Sequence, residues 1–346
     1  MTGLTSVDQG AGLSHPRPEI LALTGLRGLA GVGVVASQVG VWRTAPGELK
    51  NVVEAGALGV PLFILLSGLV LAYNYPTLSL RSGRRALARF AMARVARIAP
   101  MCLLTGVGVF VLGEVNGLDW VVTVFAGQVW FIGTLVLLYA AYPLLARTVT
   151  GSPGKAFIVC LGIELALLGL RLTAGRGFDV FLYRNPLVWV PVFAIGIALA
   201  RFVDLRPPVR TTYLVQAGAV LFALVVLVLF GSSTAVRYGA VWVVPLSAVI
   251  LSVATAPTSR MSSLLTTEAM VRLGVIGLPL YLLHTLVAHG FGSPQSGSPA
   301  YALLAVSWIG AAILMAEGAH RYLGVPSRRG LMDLARRIDR RAAVEA

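Results

Sequence analysis

The chain has 346 residues, 57% of them apolar and only 12% charged, with a mean hydropathy of +0.83 and a formal net charge of +14. Soluble domains carry about 25% charged residues. The composition therefore excludes a disordered chain, a nucleic-acid-binding module and an ordinary soluble enzyme, and it points to one all-helical, polytopic membrane domain.

The basic excess then belongs to cytoplasmic loops that face anionic lipid, and no nucleic-acid partner is expected. Cys102 and Cys160 both lie in apolar runs and form neither a disulfide framework nor a zinc pattern. Residues 1–19 are polar and offer no stretch for a signal peptidase, so the first span reads as a retained signal anchor.

A bilayer-spanning helix needs about 20 mostly apolar residues. Ten segments qualify in chain order: 20–42, 53–73, 99–113, 128–146, 156–172, 187–203, 211–231, 238–256, 270–290 and 300–322. A further apolar piece, Asp119–Gly127, reads as re-entrant or interfacial. With the N-terminus inside, 22 of the 28 Lys and Arg face the cytoplasm and 6 face out. The expected plan is a cytoplasmic segment 1–19, a transmembrane domain 20–322 and a basic cytoplasmic tail 323–346, in the cell membrane with both termini inside. No inverted repeat and no cluster of broken helices is evident.

The segment Arg81–Arg97 reads as an amphipathic basic loop helix, either an anchor on the membrane surface or a dock for a phosphate-rich ligand. The tail Arg328–Arg341 reads as a surface helix.

Charges at membrane depth are costly, so each is a pointer to function. Arg27 lies eight residues into the first span, as a snorkelling anchor or a site residue. Gln38 follows 11 residues later, near the same helix face. Glu164 sits mid-span with Arg171 seven residues on, as an internal ion pair or a buried acid. Glu54 and Glu317, near span ends, reach toward headgroups. His284 lies mid-span after Tyr281, as a hydrogen-bonded structural residue or a base. His15, His289 and His320 are too scattered for a metal motif, and no metal is expected.

Several runs carry a resemblance. Leu21-Ala-Leu-Thr-Gly-Leu-Arg27-Gly-Leu-Ala30, Gly59-Val-Pro-Leu-Phe-Ile-Leu-Leu-Ser67-Gly68, Arg94-Val-Ala-Arg97-Ile-Ala-Pro100 and Tyr281-Leu-Leu-His284 stand in order. So do Trp130, Tyr139 and Pro143, and the closing run His320–Arg329. Together they resemble the acyltransferase family 3 membrane proteins, which carry ten or so spans and O-acylate sugars and natural products. The resemblance covers residues 21–329. It implies a cytoplasmic acyl-CoA donor, no permanently bound cofactor, and a small-molecule or carbohydrate acceptor beside membrane lipid. It also implies Arg27, Arg94 and Arg97 as donor-binding residues and a histidine base 11 residues after Arg27.

The chain departs from that pattern at polar positions. Gln38 occupies the base position, and an amide cannot take a proton at neutral pH. Leu135 replaces an acid, Trp189 and Val192 stand where an Arg and a Glu are usual, and Gly324 replaces the acid before the final proline. Three readings follow. One is an O-acyltransferase with a relocated base, His284 or Glu164, and Gln38 orienting the acceptor. Another is a different reaction on a hydrophobic molecule in a pocket lined by Trp130, Tyr139, Trp189 and Tyr281. The third is a non-catalytic binder or mover of a lipid-linked or acylated molecule. On the first reading Arg27, Gln38 and His284 share one cavity. Oligomeric state is not legible in the sequence.

Overall fold

The computed structural model describes residues 17–38, 51, 53–111, 130–173, 176–230, 240–291 and 300–344, and every element among them is helical. Helix α1 is Leu21–Gln38. A 3-10 turn, Ala55–Leu58, leads into α2, Gly59–Asn74. Pro61 sits near the start of α2, where a missing N–H is tolerated. The helix ends at Tyr75 (φ −127°, ψ 53°), which the following Pro76 keeps out of helical geometry. Helix α3 is Arg84–Val111, α4 is Trp130–Gly151 and α5 is Pro153–Thr173, opened by a proline at its first position.

A short α6, Arg176–Arg184, precedes α7, Val190–Leu199, which is flanked by 3-10 turns at Pro186–Trp189 and Ala200–Phe202. Then come α8 (Val209–Phe230), α9 (Val243–Thr255), α10 (Arg260–Leu265), α11 (Glu268–Val275) and α12 (Gly277–Phe291). Helix α13 (Ala300–Ala319) runs through a π turn, His320–Gly324, into α14 (Val325–Val344).

Among the described residues, seven helices are long and apolar enough to cross a membrane, and eight if α11 and α12 count as one span. The other two expected spans are shorter apolar helices, Pro186–Phe202 and Val243–Thr255. Asp119–Gly127 lies outside the described residues.

Three expectations change. The basic segment Arg81–Arg97 is not a separate loop helix, because α3 carries Arg84 to Val111 without interruption. At 28 residues α3 is about 42 Å long, more than a hydrocarbon core of about 30 Å. Arg84, Arg85 and Arg89 are exposed, whereas Arg94 and Arg97 are half-buried. The ninth span is not straight: α11 and α12 meet at 69°. Glu317 does not reach for headgroups. It pairs with Arg272 of α11, whose Nε donates to Oε2 at 2.9 Å while Nη2 reaches Oε1.

The core centres on α2 and α7, which are apolar on every side. All residues of α7 except Val190 are buried. A Cβ at Gly68 would overlap the Phe193 carbonyl, and one at Gly196 the Leu65 carbonyl. The two backbones thus touch through glycines, the usual way for helices to pack in lipid, where dispersion replaces the hydrophobic drive. Helix α1 meets α11 in the same manner: a Cβ at Gly28 would lie 2.6 Å from Gly274 N, and one at Gly274 would overlap the Thr24 carbonyl. Helix α5 is the opposite case, with Glu164 and Arg171 its only buried side chains.

Candidate functional site

One cavity gathers residues from five helices. Helix α1 gives Arg27. Helix α2 gives Phe63, Ser67, Val70 and Leu71, and α3 gives Arg94, Arg97 and Ile98. Helix α4 gives Phe131, Leu135 and Tyr139, and α12 gives Gly277, Leu278 and Tyr281. The spacings of three, four and eight residues on α2, α3 and α4 each mark one helix face. Gly277 and Leu278 stand at the start of α12, just past the α11–α12 bend.

The structure brings Arg27, Arg94 and Arg97 together around this cavity, and no carboxylate lines it among the described residues. Arg97 is repelled by the like charges of Arg27, Arg94 and Arg328, and Tyr139 lines the same wall. Arg27 is attracted by Glu19, which already accepts a hydrogen bond from the Thr24 hydroxyl at 2.7 Å. Arg94 donates through Nη2 to the Tyr75 hydroxyl at 3.2 Å. Its guanidinium lies 5.5 Å from the Tyr75 ring centre and 5.8 Å from that of Phe90. Its Nε is buried without a hydrogen bond. Three cations around one cavity with no carboxylate in its lining among the described residues make a site for an anion.

His284, Gln38 and Glu164 do not line this cavity. His284 is buried one turn beyond Tyr281, with Nδ1 2.6 Å from the Tyr281 carbonyl and its ring centre 5.8 Å from that of Tyr281. Gln38 is exposed at the far end of α1. Eleven residues put it on nearly the same face as Arg27 but about 16 Å further along the axis. The expectation that Arg27, Gln38 and His284 share one cavity therefore fails on depth. Glu164 is buried on α5, apart from the cavity, with Oε1 lacking a hydrogen bond and Arg171 attracting it.

Of the four aromatics expected to line a pocket, Tyr139 and Tyr281 do so. Trp130 and Trp189 instead stack on each other at 6.2 Å, and Trp189 Nε1 donates to the Tyr183 carbonyl at 2.9 Å. Sequence reasoning passed over Phe63, Ser67, Leu71 and Phe131 as site residues. The signal for them was present in their four-residue spacing. The bend was signalled by Gly274, Gly277 and Pro279 within six residues.

The acyltransferase domain family model matches residues 20–317. The acyltransferase MdmB of Streptomyces mycarofaciens is 24% identical over 356 aligned residues, covering 85% of this chain and 89% of that protein. No solved structure matches the chain.

Proposed function

The chain belongs to the acyltransferase domain family and is a membrane acyltransferase, and on that premise we propose that it moves an acyl group from acyl-CoA to a hydroxyl of a sugar or another small natural product. The observation that carries the donor half is the convergence of Arg27, Arg94 and Arg97 on one carboxylate-free cavity. Guanidinium groups grip phosphate oxygens in pairs, and in a partly desolvated cavity such bonds are strong. A cytoplasmic donor accords with both termini lying inside, as the basic residues suggest.

In the reaction the acceptor oxygen bonds to the thioester carbonyl carbon, the C–S bond breaks, and CoA leaves as its thiol. The acceptor proton must be taken up and passed to the sulfur. We assign that task to His284. The Tyr281 carbonyl can only accept, so Nδ1 of His284 holds the proton and Nε2 keeps the lone pair. A general base of this kind contributes about 10²- to 10⁴-fold. Tyr281, one turn before His284, lines the cavity wall, and its ring centre lies 5.8 Å from that of His284. Gln38 and Glu164, away from the cavity, have no part in this scheme.

The test uses the full chain in lipid nanodiscs with acetyl-CoA and a panel of glycosides, reading free thiol release alongside CoA affinity by calorimetry. His284→Ala is expected to lose about 100-fold or more in turnover while still binding CoA. Full activity in that variant removes His284 from the mechanism. Failure of the parent to bind CoA overturns the donor assignment.

A further inference from the structure

The π turn between α13 and α14 brings the tail helix up to the arginines of the cavity. A Cβ at Gly324, in that turn, would lie 3.2 Å from Met101 Cε on α3 and 3.6 Å from His320 Nδ1. One turn back from Met101 along α3 stands Arg97, which lines the cavity. One turn forward from Gly324 stands Arg328, and these two guanidinium charges repel each other. Helices α3 and α14 therefore pack antiparallel, with Arg97 and Arg328 at one level. His320 senses the charges of both.

Exposure separates the two. Arg97 is half-buried in the cavity wall, whereas Arg328 is exposed and stands outside the lining. Two carboxylates near this corner are directed elsewhere. Glu317, which His320 also senses, pairs with Arg272. Asp333 is five residues past Arg328, about 140° round α14 from it. Three arginines in a cavity with a fourth, exposed, beside one of them suit a ligand that carries two separate anionic groups.

We infer that Arg328 binds the ribose 3′-phosphate of the donor while Arg27, Arg94 and Arg97 take its diphosphate. The inference rests on the acyl-CoA reading above. CoA carries phosphate in two places, the diphosphate that joins pantetheine to the nucleoside and the 3′-phosphate on the ribose. The thioester end must go on into the protein, so the adenosine end trails outside. The 3′-phosphate then lies on the outer side of the diphosphate, where Arg328 is the exposed arginine level with Arg97. A phosphate there also offsets the repulsion between the two guanidinium groups, and the planar fork of an arginine meets two of its oxygens at once.

The test measures dissociation constants for CoA and 3′-dephospho-CoA by calorimetry, with the full chain in nanodiscs of zwitterionic lipid so that no anionic headgroup competes. The parent is expected to prefer CoA by about tenfold or more. Arg328→Gln brings the two ligands within about threefold of each other, by weakening CoA and sparing 3′-dephospho-CoA. Arg328→Glu, with its charge reversed, makes CoA the weaker ligand. Arg97→Gln weakens both ligands and keeps the preference. A parent that binds the two alike, or Arg328 variants that keep the parent's preference, overturns the assignment and leaves the donor reading standing. An equal loss for both ligands in Arg328→Gln also overturns it, since that residue then acts only as general positive charge. A parent that binds neither ligand overturns both readings.

Discussion

Replacing Arg97 with glutamine separates a donor-binding arginine from a structural one. In the folded protein Arg97 is repelled by Arg27, Arg94 and Arg328, and no carboxylate lines its cavity among the described residues. Removing a cation from such a group relieves repulsion, so Arg97→Gln should leave the unfolding midpoint unchanged or raise it. The same change removes a charge-assisted contact to a phosphate, worth about 1.5–3 kcal/mol. That converts to a roughly 10- to 150-fold weaker dissociation constant for CoA. Calorimetry at two ionic strengths and a thermal melt on one preparation read both quantities. The parent's CoA affinity should fall with added salt, and the variant's should fall less, since screening acts on fewer charges. A variant that melts earlier yet binds CoA as the parent does would show Arg97 holding the fold together, and the argument from converging cations would collapse.

Two further outcomes test the geometry. Gln38→His should leave thiol release from acetyl-CoA at the parent level, because position 38 is exposed about 16 Å along α1 from Arg27; a gain in turnover would mean that α1 presents that end to the substrate. Gly274→Ala should destabilise the protein by about 1–3 kcal/mol in a denaturation assay, since the added methyl overlaps the Thr24 carbonyl and forces α11 off α1. It should also weaken CoA binding, because α11 carries the bend that delivers Gly277 and Leu278 to the cavity wall.

Membrane residence, helical architecture and family membership were legible in the sequence because each is a local property. Apolar runs of span length, the prolines at 61, 76 and 153 and the ordered motif pieces need no partner to be read. The cluster of arginines at the cavity was equally legible, since Arg94 and Arg97 stand three residues apart on one face and Arg27 lies in the first span. What only tertiary structure decided was depth and adjacency. Helical periodicity puts Arg27 and Gln38 on one face, yet a face says nothing of distance along the axis, and the cavity takes the first and leaves the second exposed. The same limit hid the continuity of α3, whose arginine-rich start looked like a loop because hydropathy averages over a window and ignores what packs against it. It also hid the aromatic contact in the cavity wall. Phe63 and Phe131 lie 68 residues apart in the chain, and they meet only because glycine contacts and the Tyr142 hydrogen bonds hold α2 in register with its neighbours.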